Sequence, residues 1–286
     1  MLYRFEYYRA HSVDEALGLL AEKTESEPLA GCTNILVDAR ALRKVPKAVV
    51  DISAIDDLRY ARRDNGTVRL GSRTTLSDCF HGSFIEQHAP LLKMMAAEFA
   101  GELIRNRATL AGNMAYGSPA ADVVPPLQAL DATVTVVSKA GSARDIPMTE
   151  FSLGPRKTAL QPGELITEIS FPAPQGEVKS GYFKFALRRA MAISLVSGAV
   201  VLRMDGDKIG SAALSLGAVS PAPYRVTAAE QLLQGEKPTE ALVREAAKVA
   251  AASASPITDI RASAEYRKEM TEVMTRRIIE QALGWR

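Results

Sequence analysis

The chain has 286 residues, enough to bury the cores of two domains, or of one domain and a smaller unit. Its 35 Lys and Arg residues nearly balance 33 Asp and Glu residues, so its charge does not favour a nucleic-acid-binding surface. No apolar run approaches the ~20 residues that span a bilayer, and the start lacks the apolar segment of a signal peptide. We therefore expect a cytoplasmic protein without membrane insertion.

The first segment, up to about residue 57, predicts a small α/β unit. Ser12 and Glu15 have the spacing of a capping box, and apolar residues recur on one face up to Glu22, so a helix is predicted over Ser12 to Glu22. AVVDI, from Ala48 to Ile52, is typical of a buried strand.

The second segment extends to about residue 175 and mixes strands with helices. A turn at residues 64–66 precedes a strand, and the spacing of Thr75 and Asp78 again predicts a helix cap. The Pro pair after Val124 favours a helix that begins near Asp122 and runs to Leu130. The other predicted elements are strands at Thr67–Ser72, Ala132–Ser138 and Glu164–Pro172, a helix at Leu91–Gly101, and a hairpin-type connection at AGSARDIP.

A Pro- and Gly-rich stretch from Phe171 to Gly181 predicts a domain boundary. Beyond it, YFKFALRR, SGAVVLRM and SAALSLGAVS predict a three-stranded antiparallel sheet. Three helices are predicted after the sheet. They cover Ala228–Gln234 behind a Thr227/Glu230 capping box, Thr239–Ala252, and Ala264–Leu283 behind Ser263. The fold class is therefore α+β.

Two distant segments share a pattern that suits anion binding. TLAGN (Thr109–Asn113) and LAGCTNIL (Leu29–Leu36) both place a Gly among small residues, which lets backbone N–H groups approach an anion closely. One such turn usually serves only to reverse the chain. Two of them suit a ligand with two phosphates, and a helix beginning near Asp122 would add its positive end.

AGCTN, followed by TLAGN and SPAAD, resembles the paired flavin-binding loops of the FAD-binding subunits of molybdenum hydroxylases. The resemblance is greatest to the xanthine dehydrogenase flavin subunits, and the carbon monoxide dehydrogenase flavoprotein subunits are similar. It extends across the chain and includes FKFALRRAMAIS and RASAEYRKEMTEVMTRRIIEQAL. It implies a two-subdomain FAD-binding domain of the vanillyl-alcohol-oxidase/PCMH type over residues 1–175, divided near residue 57. A C-terminal domain of a three-stranded sheet and a helical bundle then covers residues 176–286.

The resemblance also implies non-covalent FAD binding by particular residues. Without it, Asp122 could equally be a helix cap, Lys184 the polar face of a strand and Phe99 a core aromatic. A cation near the N1 and O2 edge of the flavin, as the resemblance implies for Lys184, stabilises negative charge on the reduced ring. The segment from Arg188 to Met191 lines the flavin, forms a docking surface or is a solvated basic turn. The implied FAD-binding residues are Leu29, Ala30, Gly31, Cys32, Thr33, Asn34, Ile35, Leu36, Phe99, Thr109, Leu110, Ala111, Gly112, Asn113, Asp122, Ile166 and Lys184.

Two positions depart from the family pattern. Cys32 and Ala111 stand where Gly is usual, and neither tolerates a positive φ as Gly does. We expect binding to persist, either weakened or with a shifted backbone. No neighbour of Cys32 in the sequence is expected to lower its pKa, so a reactive thiol is not predicted.

Cys32 and Cys79 are too few for a disulfide framework or for the four thiolates of an ordinary iron–sulfur cluster. The histidines lack metal-ligand spacing, and no catalytic constellation is present, so we predict no metal site and no catalytic residue in this chain.

The resemblance implies an electron-transfer role. A molybdenum-cofactor chain hydroxylates a purine-like substrate, 2Fe-2S clusters on a partner chain pass electrons onward, and FAD in this chain delivers them to NAD+. Three alternatives stay open. The first is a carbon monoxide, aldehyde or nicotinate dehydrogenase subunit with another acceptor. The second, a free-standing flavoenzyme, is disfavoured because no general base is evident. The third is a degenerate non-catalytic scaffold.

Overall fold

A computed structural model describes residues 4–23, 25–141, 143–188 and 191–285. The N-terminal unit comprises β1 (Glu6–Arg9), α1 (Val13–Glu22), β2 (Ser26–Leu29), α2 (Ile35–Arg40) and β3 (Ala48–Asp51). Its three strands form a parallel sheet in the order β1, β3, β2. The predicted α/β unit, helix α1 and strand β3 are confirmed, whereas β2 was not predicted. The Ser12 hydroxyl caps α1 by accepting from the Glu15 amide at 3.1 Å.

The middle unit is built on a five-stranded antiparallel sheet in the order β4, β5, β10, β6, β7, with helices packed against it. A single 3-10 turn, Asp56–Leu58, connects it to the N-terminal unit. Its elements are β4 (Ala61–Asp64), β5 (Thr67–Gly71), α3 (Leu76–His81), α4 (Ser83–His88), α5 (Pro90–Ala97), α6 (Glu102–Arg105), α7 (Leu110–Ala115), α8 (Val124–Ala129), β6 (Thr133–Val137), β7 (Ala143–Pro147), α9 (Met148–Phe151), β8 (Ser152–Gly154), β9 (Lys157–Thr158) and β10 (Leu165–Pro172).

Thr75 forms the predicted capping box with Asp78, so the local signal for α3 is confirmed. The hairpin-type connection predicted at AGSARDIP is confirmed, because β6 and β7 pair as antiparallel neighbours, but the segment also contains strand β7 itself, which was not predicted. The alternation of β7 is hidden because four of its five residues are exposed. The helix predicted to reach Gly101 ends at Ala97, and α6 follows it as a separate turn.

The C-terminal unit places helices on one face of an antiparallel sheet. Its elements are β11 (Val178–Phe185), β12 (Val196–Asp205), β13 (Lys208–Gly217), β14 (Tyr224–Arg225), α10 (Thr227–Leu233), α11 (Glu240–Ser253) and α12 (Ala264–Leu283). The sheet has four strands rather than the predicted three, because the two-residue β14 pairs with β13. Thr239 and Ser263 cap α11 and α12 as predicted.

The predicted Thr227/Glu230 capping box is wrong. Thr227 is itself the first residue of α10, and Val226 stands at the cap without a side-chain hydrogen bond. The Glu230 carboxylate instead accepts from the Leu214 amide at 2.8 Å and pairs with Arg225. Tertiary partners therefore outcompete the local cap.

The C-terminal sheet contributes side chains to two cores. Tyr182, Ala199 and Val201 face the core of the middle unit, whereas the alternating residues Phe183 and Val200 face the helices of the C-terminal unit. This alternation is the period of a strand covered on both faces. Within the described residues, no helix is long and apolar enough to cross a membrane.

A buried charge fixes the start of α12 against the C-terminal sheet. Arg267 is 3% exposed, and its guanidinium donates to the Leu195 carbonyl at 2.7 Å and to Asp259 at 2.9 Å. Burial alone would raise the pKa of Asp259, but hydrogen bonds from the Arg261 amide and from Arg267 lower its pKa to about 2. The Asp259 carboxylate therefore stabilises the folded chain when it is ionised.

We expect Asp259→Asn to lower the free energy of unfolding by about 2 kcal/mol, because a buried guanidinium loses its anionic partner. The folded-state pKa lies below the ordinary value of 3.8, so the stabilisation is complete above about pH 4 and is lost as the pH falls toward 2. Urea denaturation of the wild type and the variant across this range measures both effects. Asp207→Asn is the control, because Asp207 and its partner Lys237 are both exposed. Equal losses in the two variants would contradict the assignment.

Candidate functional site

The two predicted anion-binding segments meet through their backbones. A Cβ added at Gly31 would lie 1.8 Å from the Arg107 carbonyl oxygen and 3.1 Å from the Ala108 nitrogen, so no larger residue fits without a backbone shift. Gly31 is therefore required by close approach. The contact brings the segment after β2 against the residues that lead into α7.

The first segment is a short loop, residues 30–34, between β2 and α2. All of its residues are partly exposed. No acceptor in the described part of the chain receives a hydrogen bond from the backbone amides of residues 31–34. Cys32 has a φ of +65°, so the predicted strain of a non-Gly residue is present at this position. The loop thus offers several unsatisfied donors at a half-exposed surface.

The second segment, which was predicted as a small-residue turn that binds an anion, forms the beginning of helix α7. Thr109 caps α7, and its hydroxyl accepts from the Gly112 amide at 3.0 Å. The Leu110 amide is also bound, to the Thr74 carbonyl at 3.0 Å. Ala111 lies in the first helical turn without a positive φ, so the strain expected there is absent. Gly112 is exposed, whereas Thr109, Leu110 and Ala111 are buried, so the Gly in this motif provides space where α7 reaches the surface.

Asp122 and Lys184 form a buried ion pair close to Phe99. The Lys184 ammonium lies 2.6 Å from the Asp122 carboxylate and 5.9 Å from the centre of the Phe99 ring. The Ser194 hydroxyl donates to the other Asp122 oxygen at 2.7 Å. The interpretation of Asp122 as a helix cap is wrong: α8 begins at Val124, and the Asp122 side chain binds instead Lys184 on strand β11 and Ser194, two residues before β12. The structure thus brings together three predicted residues that are far apart in sequence.

Tyr182 lies next to this ion pair and was missed by the sequence analysis. Its hydroxyl is buried and has no hydrogen-bond partner among the described residues. Burial, together with the negative charges of Asp122 and Glu98, raises the pKa of Tyr182 well above its ordinary value. The sequence held one signal for Tyr182, which is strand periodicity. Tyr182 and Lys184 are two residues apart and therefore lie on the same face of β11.

A cavity of about 260 Å³ adjoins the ion pair and is lined by Glu98, Lys184, Ala186, Leu187, Arg188, Met191 and Ala192. Arg188 is exposed, and its guanidinium donates to the Met191 carbonyl, so these two residues lie together at the surface beside the cavity. Arg189 and Ala190, which belong to the same predicted segment, lie outside the described residues. A basic side chain and two exposed apolar ones, Leu187 and Met191, thus border the opening.

Ile166 shares the buried core of the middle unit with three other predicted residues, Phe99, Leu110 and Ala111. It is 6% exposed, pairs with Val136 in the central sheet and belongs to the core of the middle unit. A β-bulge follows it, between Ile166 and Glu168. In many sheets, a bulge next to a binding site redirects the strand. The contact of Ile166 with the flavin stays a prediction.

The Cys32 thiol has the pKa of an unreactive group. Burial raises this pKa, and the nearby Arg107 guanidinium opposes the effect only in part. Cys79 is fully buried, which raises its pKa further still. Neither thiol has the electropositive, accessible surroundings of a nucleophile.

Comparisons with known proteins match the whole chain. Residues 3–174 match the family described as the FAD binding domain in molybdopterin dehydrogenase, and residues 181–282 match the CO dehydrogenase flavoprotein C-terminal domain. The xanthine dehydrogenase FAD-binding subunit of Escherichia coli O157:H7 is 32% identical, covering 97% of this chain and 96% of the relative. The carbon monoxide dehydrogenase medium chain of Afipia carboxidovorans is 31% identical over the same shares.

Among solved structures, carbon monoxide dehydrogenase from Hydrogenophaga pseudoflava, in a form that lacks the Mo-pyranopterin moiety of the molybdenum cofactor, superposes with a TM-score of 0.96 at 30% identity. The match covers 99% of each chain.

We expect Gly31→Ala to lower the free energy of unfolding by about 3 kcal/mol or more, because the added methyl group overlaps the Arg107 carbonyl. Urea denaturation measures the loss, and limited proteolysis at residues 30–34 reports whether the loop has separated. Gly101→Ala is the matched control, because a Cβ at Gly101 meets no atom within 4 Å. A similar small effect of both substitutions would show that the two segments do not touch.

Proposed function

This chain belongs to the FAD-binding medium subunits of the molybdenum hydroxylases, and from that premise we propose that it binds FAD non-covalently where residues 30–34 meet residues 109–113. The observation that carries the proposal is the backbone contact between Gly31 and Arg107–Ala108, since one diphosphate can reach both segments only if they adjoin. The unsatisfied amides of residues 31–34 supply donors that suit an anion, and the exposed Gly112 leaves space for a ligand at the second segment.

The wider set of residues fits the rest of such a ligand. Phe99, Asp122 and Lys184 lie together, and Lys184 lines the cavity beside β11, so the three would hold the ring or the adjoining part of the nucleotide. Leu29, Ile35 and Leu36 flank the first loop, and Ile166 would contact the ring from the central sheet. When bound, the flavin supplies redox chemistry that can proceed by one or two electrons. The chain itself supplies position, charge and exclusion of water.

Lys184 is the residue we propose to tune the flavin. Its side chain is 7% exposed and carries a positive charge into an environment of low polarity, where an electrostatic effect on a ligand is large. Asp122 and Ser194 fix its position. A cation held at this place favours negative charge on an adjacent ring.

We further propose that the chain works in a complex with a 2Fe-2S subunit and a molybdenum-cofactor subunit and passes electrons to NAD+. The similarity to the xanthine dehydrogenase FAD-binding subunit supports NAD+ as the acceptor. The comparable similarity to carbon monoxide dehydrogenase medium chains supports the alternative of another acceptor. Purification of the complex, followed by assays of NAD+ reduction and of artificial-dye reduction, separates them, because activity with the dye alone would exclude NAD+.

We expect Gly112→Leu to weaken FAD binding at least tenfold, because the side chain projects from the exposed Gly112 position of α7, where its Cβ would lie 2.9 Å from the Thr109 hydroxyl. Folding is retained, since this close contact is with one side-chain atom rather than with backbone and Leu favours a helix over Gly. Titration of the stripped chain with FAD, followed by flavin fluorescence, measures the affinity. Ala241→Leu is the control, at an exposed position of α11 in the C-terminal unit. Unchanged FAD affinity in Gly112→Leu would remove α7 from the site, and failure of the wild type to take up FAD would favour a non-catalytic scaffold.

We expect Lys184→Met to lower the midpoint potential of the bound flavin by about 30 mV or more, because the variant removes a buried positive charge and leaves Asp122 unpaired. Spectroelectrochemical titration of the FAD-loaded chain measures the shift. Lys179→Met, on the same strand but paired with Glu177 at the surface, should leave the potential unchanged. A shift of the same size in both variants would argue against a specific role for Lys184.

A further inference from the structure

The helices that follow the two anion-binding segments are too short to hold their own positions. Helices α2 and α7 contain six residues each, and isolated helices of this length are unstable in water. The cap residue of α2, Asn34, makes no side-chain hydrogen bond. The relative placement of the two segments must therefore come from tertiary contacts.

A buried carboxylate in α2 provides such contacts. Asp38 is 3% exposed and accepts a hydrogen bond from the Tyr116 hydroxyl at 3.1 Å and another from the Arg156 guanidinium at 2.8 Å. Tyr116 is the residue at the C-terminal end of α7. The Asp38 carboxylate thus joins the helix behind the first segment to the helix behind the second.

Arg156 completes this connection from a third element. It lies in the turn between β8 and β9, and its guanidinium stacks over the Tyr116 ring, 3.7 Å from the ring centre, while it binds Asp38. A planar guanidinium can make a fork-like hydrogen bond and a stacking contact at once, which an ammonium cannot. Arg43 also approaches Asp38, at 3.3 Å, but its side chain is 56% exposed, so this ion pair is more accessible to water.

The backbone conformation at Arg156 indicates that this position requires the arginine side chain. Its φ is +61°, a region in which Gly or Asn is the usual residue. The Arg156 amide donates to the Gly117 carbonyl at 2.8 Å, and a Cβ on Gly117 would lie 3.1 Å from the Arg156 backbone. The turn is therefore pressed against the end of α7. A strained residue held by its surroundings is a reasonable starting point for a functional hypothesis.

Electrostatics agree with this geometry. Burial alone would raise the pKa of Asp38, but the hydrogen bonds from Arg156 and Tyr116 lower it below its ordinary value. Asp38 therefore carries its negative charge at neutral pH, and Arg156 is its partner that also contacts α7.

We propose that Arg156 is a positioning residue for the dinucleotide: by binding Asp38 and stacking on Tyr116, it holds the two anion-binding segments at the separation that one diphosphate requires. Arg156 acts through α2 and α7 and supplies no contact to the ligand. The inference rests on the proposed FAD site and adds to it a residue outside the binding segments, in the β8–β9 turn.

The test measures the affinities of the stripped full-length chain for FAD and for ADP, which carries the diphosphate without the flavin ring. We expect Arg156→Met to weaken both at least tenfold and by similar factors, because the defect lies in the spacing of the diphosphate segments. Arg156→Lys, which keeps the charge but loses the stacking, should restore part of the affinity. Arg144→Met is the matched control, because Arg144 is similarly exposed and forms an ion pair with Glu164.

Arg156→Gly guards against simple loss of folding. Gly accepts the positive φ without strain, which offsets part of the cost of leaving Asp38 without its partner, so this variant should be at least as stable as Arg156→Met in urea denaturation and still bind both nucleotides at least tenfold more weakly. Affinities within twofold of wild type in Arg156→Met and Arg156→Gly, or an equal loss in Arg144→Met, would overturn the inference while leaving the FAD site in place. If the wild-type chain bound neither nucleotide, the proposed function would fail and the inference with it.

Discussion

The contact of Gly31 with the backbone of Arg107 and Ala108 is the constraint on which the candidate site depends. It joins a loop of the parallel N-terminal sheet to the start of α7 in the middle unit, at a distance that excludes every side chain. The segment before α7 is itself fixed, because its Ala108 carbonyl and Leu110 amide bind Leu76 and Thr74. The first loop is thus held against a rigid neighbour, while its own amides stay available for a ligand.

Local chemistry was readable from the sequence wherever a residue and its partner lie within one turn. The caps at Ser12, Thr75 and Ser263 follow from short-range spacing, and the helices behind them were predicted within a few residues. Strand β7 was missed because its exposed edge position removes the alternation that marks a half-buried strand. The cap predicted at Thr227 was wrong because Glu230 has a buried tertiary partner.

The site was predictable in its motifs but not in its connections. The two segments were found because Gly among small residues has a local signature, and the resemblance to a family supplied Phe99, Asp122 and Lys184. The pairing of Asp122 with Lys184 spans 62 positions, and that of Asp38 with Arg156 spans 118, so neither has any short-range pattern. Such pairs depend on how whole elements pack, which binary patterns do not encode. Buried pairs of this kind also contribute little net stability, so their value lies in fixing geometry.

The C-terminal sheet packs one face into each of two cores. The Pro- and Gly-rich connection between β10 and β11 therefore marks a change in the sequence pattern, but it does not separate two units that fold independently. Because residues 199 and 201 complete the interior of the middle unit, neither half could be expressed alone without leaving an apolar face in water. If the backbone were cleaved within residues 173–177, the two fragments would accordingly stay associated. If the C-terminal unit were exchanged among relatives, its side chains that pack in the middle unit would have to be exchanged together with the middle-unit residues that they contact.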